Sequence, residues 1–301
     1  MHSPPPVSIG LPVYNAERYL PLAIESHLSQ SFGDFELIIS DNGSTDGTRE
    51  ICREYAAKDR RIRYFREEQN RGLSWNHARV FELSRSELFR WSAADDIPSP
   101  GLLAELVEIL RNDPSIVLCV PHTKNIDDDG AVIGELPRTL DLQMDDAFER
   151  ARAVLTRGYQ MVFHQGLIRR EALLATSRRW NYFGWDFILL FELALQGKIA
   201  MTRDAHLLRR LHRQQASRVQ RDAQKGVRHI EPTFGARFVM PHWRWATERL
   251  RAALAAPLPV SQRMRIGLLV LRHAWWARTA LAADVRASLR LLFGRSSELP
   301  L

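Results

Sequence analysis

The chain has 301 residues, of which 45% are hydrophobic and 26% charged, a balance typical of a globular protein with a sizeable core. No run of about 18 apolar residues occurs, which excludes a membrane-spanning helix, and the first residues lack the pattern of a signal peptide. Cys52 and Cys119 lack metal-ligand spacing and give no sign of an oxidising compartment. We therefore expect a cytoplasmic protein with one large domain, alone or with an appendage.

The net charge of +7 is concentrated near the C-terminus. Residues 235–301 contain eleven arginines, no lysine and three acidic residues, a net charge of +8, so the first 234 residues carry about −1. A basic face of this kind suits nucleic acid, anionic lipid or an acidic partner. The nearly neutral first part and the lack of a recognised nucleic-acid-binding motif argue against nucleic acid.

Strands and helices alternate at short intervals over the first 121 residues. Hydrophobic periodicity and turn residues predict strands at 7–12, 35–40, 61–65, 88–92 and 116–121, with helices at 16–30, 46–57, 74–83 and 101–111. A strand followed by a helix, repeated along the chain, is typical of an α/β protein with a mostly parallel sheet flanked by helices.

The pattern is less regular after residue 121. The sequence predicts a hairpin turn at 125–134 with Asp129-Gly130 at its tip, helices at 145–156 and 185–196, and a strand or two between 199 and 211. From residue 233 onward the pattern is helical, and Pro-Leu-Pro at 257–259 interrupts it. We therefore expect a helical C-terminal extension after the α/β part.

Three polar loops follow predicted strands of the sheet: Pro-Val-Tyr-Asn at 12–15, Asp-Asn-Gly-Ser at 41–44 and Ala-Ala-Asp-Asp at 93–96. Each loop alone is ordinary turn or capping sequence, but ligands of parallel sheets bind at the carboxyl ends of the strands. No glycine-rich dinucleotide or P-loop motif and no Gly-x-Ser-x-Gly elbow occurs. The loops therefore favour a nucleotide site built from carboxylates, which can accept hydrogen bonds from a base and hold Mg²⁺ or Mn²⁺ against a diphosphate.

These loops also carry a family resemblance. Pro-Val-Tyr-Asn at 12–15, SDNGSTDGT at 40–48, NRGLSWNHAR at 70–79 and ADDIPSP at 94–100 resemble, in this order, the N-terminal half of family 2 glycosyltransferases, which have the GT-A fold. Gly-Trp-Asp-Phe at 184–187 resembles the acceptor-side motif of that family. The resemblance implies a GT-A-like catalytic domain at 1–228, with a nucleotide-binding half (7–121) and an acceptor half (122–228), followed by a basic helical extension at 229–301.

The family implies a role for each matching position. The residues implied to bind the nucleotide sugar are Pro12, Tyr14 and Asn15 at the nucleoside, Asp41 at the nucleobase, Arg71 and Gly72 near the base and phosphates, and Asp95 at the diphosphate. Asp95 matches the last Asp of the Asp-x-Asp motif, which binds a divalent metal, Mg²⁺ or Mn²⁺. Asp186 matches the catalytic base of a single inverting displacement, in which an acceptor hydroxyl attacks the anomeric carbon.

The sequence departs from the family pattern at two positions. Ala93 replaces the first Asp of Asp-x-Asp, which puts the metal affinity in question unless Asp96 or water compensates. Trp185 replaces a Glu before the base, and either stacks on an acceptor sugar or packs in the core. His212 either approaches the metal and diphosphate or forms a structural hydrogen bond in a loop. His164 is a weaker candidate for the acceptor pocket.

The resemblance implies an enzyme that transfers a sugar from a nucleotide-diphosphate sugar to a glycan or lipid-linked glycan. A UDP-sugar is the first choice of donor. Cell-surface polysaccharide synthesis is the process that we expect. A non-catalytic sugar-nucleotide-binding or scaffold protein is the alternative, which Ala93 favours and which Asp95 and Asp186 oppose. The C-terminal helices have two interpretations. They lie peripherally on the inner face of the membrane with Trp275 and Trp276 at the interface, or they pack on the catalytic domain or on a second subunit.

Overall fold

A computed structural model describes residues 4–157, 162–180, 182, 184–212 and 240–293. The predicted domain boundary between 228 and 229 lies outside these residues. The strands are β1 Val7–Val13, β2 Phe35–Asp41, β3 Ile62–Arg66, β4 Leu88–Trp91, β5 Ile97–Pro98, β6 Ile116–Ile126, β7 Val132–Glu135, β8 Leu167–Arg169 and β9 Lys198–Arg210. The helices are α1 Leu20–Leu28, α2 Thr48–Lys58, α3 Leu73–Leu83, α4 Leu102–Asn112, α5 Ala147–Thr156, α6 Arg170–Leu174, α7 Trp185–Gln196, α8 Pro241–Ala255, α9 Val260–Trp276 and α10 Arg278–Phe293, with a 3₁₀ turn at Phe163–Gln165.

The strands form one sheet in the order β3-β2-β1-β4-β8-β6-β9-β5, with β7 paired to β6. Strands β3, β2, β1 and β4 are mutually parallel. Strand β8 is antiparallel to both β4 and β6, β9 runs parallel to β6, and β5 is antiparallel to β9. The parallel part lies in the predicted nucleotide-binding half, and it brings the carboxyl ends of β1, β2 and β4 to one edge of the sheet.

Helices cover both faces of the sheet because β1 and β2 are apolar on both sides. Ile9 and Leu37 pack in the hydrophobic core that α1, α2 and α4 cover, whereas Phe89 and Trp91 belong to the core under α3, α5 and α7. Helix α3 lies so close to β1 that a Cβ atom at Gly10 would come within 2.7 Å of the Val80 side chain. The α/β fold class with a helical extension is confirmed.

The extension shares a core with the acceptor half of the chain. Helix α8 packs on α7, and α9 packs on α5 and α8, burying side chains such as Ile266 and Val270. Trp245 of α8 lies directly against Gly184, where an added Cβ would overlap its indole ring. None of the described helices is long and apolar enough to cross a membrane.

Most predicted elements agree with the structure to within a few residues, and the helical break at 257–259 is confirmed by the separate helices α8 and α9. Two elements differ. The first helix begins at Leu20 instead of residue 16, because Pro21 fits in the first turn of a helix and not in its interior. Strand β6 continues to Ile126 as one arm of the predicted hairpin. The strand predicted between 199 and 211 is present as β9.

Candidate active site

The first two polar loops are joined by hydrogen bonds at the sheet edge. The backbone amide of Asn42 donates to the Val13 carbonyl (3.0 Å), and the amide of Asn15 donates to Ser44 Oγ (2.9 Å). Asn15 Oδ1 accepts from the Thr45 amide (2.9 Å). Asn15 adopts a φ of 48°, a conformation that Asn tolerates better than most residues. The predicted nucleoside loop is therefore held against the loop that follows β2, with Tyr14 half exposed beside it.

Asn42 connects this edge to the segment before α3. Its Nδ2 donates to Asn70 Oδ1 (2.9 Å) and to the Gly72 carbonyl (3.1 Å), while its Oδ1 accepts from the Arg71 amide (2.9 Å). The Gly72 backbone has a φ of 94°, which favours glycine. The Arg71 guanidinium lies 4.2 Å from the ring centre of Trp75. The structure thus brings Arg71 and Gly72 next to the Asp41 loop.

Asp41 is fully buried at the end of β2. Its Oδ1 accepts from the Ser44 amide (2.9 Å), and its Oδ2 accepts from the Tyr64 hydroxyl (2.9 Å) and lies 3.3 Å from Arg66 Nε. Burial and the hydrogen bond to Asp41 raise the pKa of Tyr64, so the phenol stays a donor. Because Asp41 has no exposed surface, a base N–H reaches it only after Tyr64 or Arg66 moves. No sequence motif marks these two partners.

The third loop meets the end of β9. Asp95 Oδ2 accepts a hydrogen bond from His212 Nε2 at 2.9 Å, and both side chains keep some exposed surface. The His212 ring lies 5.3 Å from the ring of Tyr19, and the Arg210 guanidinium lies 4.6 Å from the same ring. Tyr19 stands shortly after the first loop, so it connects the Asp95 loop to the nucleoside loop. Tyr19 and Arg210 are site residues that the sequence did not indicate.

Asp96 differs from its neighbour because it is buried. Its Oδ1 accepts from the Arg210 amide (2.9 Å), and its Oδ2 accepts from Gln165 Nε2 (2.5 Å). Burial, with the added repulsion of Asp95, raises the pKa of Asp96 to about 7. Both oxygens of Asp96 are thus occupied by protein donors, whereas Asp95 faces outward beside His212.

A buried arginine underlies this loop. Arg90 on β4 has no exposed surface, and none of its three side-chain nitrogens has a hydrogen-bond partner within the described ranges. Burial lowers the pKa of Arg90 to about 10, and the negative charge of Asp96 acts in the opposite direction. Its positive charge also contributes to the low pKa of the buried His27, which is about 3. Burying this cation without hydrogen-bond partners is costly, and the charge of Asp96 offsets only part of that cost.

The acceptor-side motif lies at the start of α7. Gly184 precedes the helix with a φ of 78°, and Asp186 lies in its first turn. Asp186 Oδ1 is 3.1 Å from the Phe187 amide, and burial raises the pKa of Asp186 to about 6. A carboxylate with such a pKa is ionised at neutral pH yet binds a proton more strongly than an exposed Asp, which suits a general base.

Trp185 lies in a buried aromatic cluster. Its ring centre is 5.8 Å from that of Trp180, 6.0 Å from that of Trp91 and 5.9 Å from that of His77. Of the two interpretations of Trp185, the packing role is the one that this placement favours. The indole fixes the first turn of α7, and thereby the backbone that carries Asp186.

His164 connects the acceptor side to the metal-motif loop. Its ring centre is 6.1 Å from that of His77, and it precedes Gln165, the partner of Asp96. Burial lowers the pKa of His164 to about 3, so its imidazole is neutral, and its Nδ1 has no hydrogen-bond partner in the part of the chain that the structure describes. His77 Nδ1 donates to the Leu73 carbonyl (3.0 Å). A line of contacts thus leads from Asp96 through the two histidines to Trp185, next to Asp186.

A cleft of about 570 Å³ lies elsewhere, near the amino ends of β6 and β9. Its basic residues are already engaged. Lys198 pairs with Asp145 (2.7 Å), Arg150 Nε donates to the Ala194 carbonyl, and Arg169 Nε donates to the Ile116 carbonyl. This cleft is therefore separate from the polar loops at the carboxyl edge.

A family comparison decides the assignment of this arrangement. The model of the family described as Glycosyl transferase family 2 matches residues 8–175, more than half of the chain. The chain belongs to glycosyl transferase family 2. The match covers the three polar loops and the Asn70–Arg79 segment, and the predicted family is confirmed.

Curated family 2 relatives resemble this chain over part of their length. Chondroitin synthase from Escherichia coli is 32% identical over 129 residues, which is 43% of this chain and 19% of that protein. The alignments span less than half the length of the first curated relatives. Most of these relatives are named glycosyltransferases.

Solved structures share the fold of this chain at low sequence identity. TarS from S. aureus, described in complex with UDP-GlcNAc, has a TM-score of 0.63 at 14% identity over 95% of this chain and 81% of that chain. The mannosyltransferase PcManGT from Pyrobaculum calidifontis, described with GDP-Man and Mn²⁺, has a TM-score of 0.54 at 18% identity over 97% of this chain and 88% of that one. The GT-A-type fold is therefore confirmed.

Proposed function

We propose that this protein is an inverting glycosyltransferase that moves a sugar from a nucleotide-diphosphate sugar to a hydroxyl of a glycan or lipid-linked glycan. The observation that carries the proposal is the convergence of the three polar loops at one sheet edge, with contacts leading to the start of α7 and Asp186. UDP is the first choice of nucleotide, since TarS is described with UDP-GlcNAc. Synthesis of a cell-surface polysaccharide is the process we propose.

In this proposal the nucleoside lies over the loop of Pro12, Tyr14 and Asn15, with the segment of Arg71 and Gly72 beside it. Tyr14 is half exposed and offers an aromatic face for the base or ribose. The Arg71 guanidinium stacks on Trp75 and keeps donors for a phosphate oxygen. Asp41 acts on the base either directly, after Tyr64 moves, or through Arg66.

The residues at the third loop fit a divalent cation. Asp95 and His212 are in contact and partly exposed, and they offer the oxygen and nitrogen that Mn²⁺ accepts. No group of three or more metal-ligating side chains occurs among the described residues, which agrees with a cation held mainly by one or two side chains and the substrate phosphates. A bound cation would offset the charge that develops on the leaving diphosphate. Asp96 supports the loop from beneath.

Asp186 is the proposed base. Its raised pKa lets it take the proton of the acceptor hydroxyl as that oxygen attacks the anomeric carbon from the face opposite the leaving diphosphate. The bond from the anomeric carbon to the diphosphate oxygen breaks in the same step, so the configuration inverts. Trp185 and the neutral His77 hold the first turn of α7 and do not take part in proton transfer.

The alternative is a sugar-nucleotide-binding protein without turnover. Ala93 supports it, because this position lacks the carboxylate of the family motif. The two functions differ in one measurement, because only the enzyme hydrolyses or transfers the donor sugar.

A thermal-shift screen of UDP-, GDP- and dTDP-sugars with Mn²⁺ or Mg²⁺, followed by a hydrolysis assay on the best donor, tests the proposal. We expect one donor to raise the melting temperature in a metal-dependent way and Asp95→Asn to remove the metal dependence. The matched control is Asp34→Asn, which changes an exposed carboxylate away from the loops. Stabilisation without turnover for every donor and acceptor would support the non-catalytic function, and the absence of any stabilisation would contradict both.

We further propose that the protein works in the cytoplasm at the inner face of the membrane, where a lipid-linked acceptor would be presented. Nucleic acid is not a proposed partner. A second copy of the chain is the competing partner for the C-terminal helices.

A further inference from the structure

Helix α9 has two apolar faces. Ile266, Leu269 and Val270 are buried in the core shared with α5 and α8. A second set of large apolar side chains on the same helix is between 53% and 67% exposed: Val260, Met264, Leu268, Leu271 and Trp275. At about 100° per residue this outer stripe covers about 80° of the helix surface, roughly opposite the buried face.

The outer stripe is a continuous apolar strip and not a scatter of single residues. Its members recur every three or four positions along nearly the whole of α9, so their side chains adjoin one another. Packing of α9 on the protein leaves this strip uncovered within the described residues. Soluble monomers rarely expose contiguous apolar surface of this kind unless it contacts something.

The charge around the outer stripe is positive. In the described extension the two acidic residues are buried and engaged: Glu248 lies 2.8 Å from Arg251, and Asp284 accepts hydrogen bonds from the amide and ring of His242 (2.8 and 2.9 Å). Exposed arginines lie on α9 and α10: Arg265, Arg272, Arg278 and Arg286. Arg265 lies 3.3 Å from Asp146, just before α5. The net charge that these two helices expose beside the stripe is therefore positive.

The aromatic end of α9 combines both properties. Trp275 and Trp276 are more than half exposed, and the guanidinium of Arg278 lies 5.4 Å from the Trp275 ring while that of Arg272 lies 4.9 Å from the Trp276 ring. Tryptophan and arginine together suit a lipid headgroup region. There the indole ring contacts the acyl chains, and the guanidinium pairs with headgroup phosphates.

We propose that the outer stripe docks on an anionic lipid surface, with α9 lying in the plane of the headgroups. The charge of these helices favours this occupant over a second copy of the chain. A twofold interface would bring the same cationic helices face to face, so their arginines would repel, whereas anionic headgroups would attract them. No described helix is long and apolar enough to span a bilayer. Lipid binding of this kind does not depend on sugar transfer and is measured separately from it.

Flotation of the full chain with vesicles tests the proposal. The vesicles are phosphatidylcholine alone, or phosphatidylcholine with about 30% phosphatidylglycerol. We expect the protein to float with the anionic vesicles and to stay unbound with the neutral ones. Binding weakens several-fold near 0.5 M salt, since charges are then screened over about 4 Å. Equal flotation with both vesicle types would overturn the proposal.

A pair of matched variants assigns the contact to the stripe. The triple variant Leu268→Gln, Leu271→Gln, Trp275→Gln is expected to raise the lipid concentration for half-maximal binding by roughly tenfold or more. The control triple variant Leu22→Gln, Val132→Gln, Leu174→Gln changes apolar side chains of similar exposure on α1, β7 and α6, and is expected to bind like the parent. Equal loss in both variants, or no loss in the stripe variant, would overturn the assignment.

Two further measurements keep the result interpretable. Thermal unfolding shows whether each variant is folded. If the stripe variant is unfolded, the double variant Arg272→Gln, Arg278→Gln replaces it. This double variant is also expected to bind anionic vesicles more weakly than the parent. Light scattering determines the oligomeric state. The lipid proposal would be overturned if the parent protein does not bind anionic vesicles and is a dimer that dissociates in the stripe variant. The stripe would then contact a second copy of the chain.

Discussion

Replacing Asp186 with Asn removes the proposed base while keeping the size and shape of the side chain. With a pKa of about 6, Asp186 is about 90% ionised at pH 7, so nearly every molecule of the parent protein carries the base in its active form. Positioned general-base catalysis contributes about 10²–10⁴-fold, and the variant should lose kcat by that factor, about 3–5 kcal/mol of barrier. Binding of the nucleotide sugar should change little.

The pH dependence gives a sharper form of the same prediction. Burial raises the pKa of Asp186, so the base becomes protonated and inactive as the pH falls through about 6. The kcat of the parent should fall about tenfold between pH 7 and pH 5 and level off above pH 7. In Asp186→Asn this acidic limb should be absent, because Asn does not titrate.

The same burial predicts a gain in stability for the variant. An Asp with a raised folded-state pKa destabilises the protein fully above about pH 6, where it is charged in both states, and not at all below about pH 4, where it is protonated in both. Asp186→Asn should therefore be more stable than the parent at pH 7, and the difference should vanish near pH 4. Denaturant unfolding at the two pH values measures this.

The assays are donor titration by calorimetry, single-turnover transfer from pH 5 to pH 8, and urea unfolding, with Asp34→Asn as the control. The assignment of Asp186 as base is refuted if the variant loses donor binding as much as turnover, or if it retains the acidic limb. A variant less stable than the parent at pH 7 would contradict the inferred burial cost.

Three further predictions concern other parts of the site. Gly184 has a φ of 78°, and Gly184→Ala places a Cβ against Trp245. The variant should be less stable by about 1–3 kcal/mol, which would lower its melting temperature. An unchanged melting temperature would show that the turn adapts. Tyr64→Phe removes a donor from the buried Asp41 and should cost about 1 kcal/mol in urea unfolding; a more stable variant would contradict the contact. Ala93→Asp adds the carboxylate of the family motif. The apparent affinity for Mn²⁺, titrated in the presence of the donor, should increase by about three- to tenfold. An unchanged affinity would show that residue 93 does not contact the cation.

The elements and the site edge could be predicted because their signals are local. A buried run such as Phe35–Ser40, followed by Asp, Asn and Gly, indicates a strand that ends in a turn, whatever the rest of the chain does. Parallel alternation then places the ends of β1, β2 and β4 together. Asp41 and Asp95 were placed at the sheet edge in this way, whereas their roles and that of Asp186 came from the family resemblance.

The partners of those residues could not be predicted, because they come from distant segments. Nothing near Asp95 indicates that His212 will contact it, and nothing near Asp96 indicates Gln165. The polar stretch after residue 121 has the composition of a loop, yet it forms the second half of β6 because β9 supplies hydrogen bonds along its whole length. The packing role of Trp185 likewise depends on distant residues, Trp91 on β4 and Trp180 in the loop before α7.

Under the proposed function, the contact between Gly184 and Trp245 couples the C-terminal helices to the proposed base. The matched family segment ends at residue 175, so both the turn that carries Asp186 and the Trp245 indole lie in sequence outside that match. Substitutions in α8 would then change the backbone around Asp186 while the donor loops stay unchanged. A hybrid that joins the first 175 residues to the C-terminal part of a relative is therefore expected to keep its nucleotide preference and to change its acceptor.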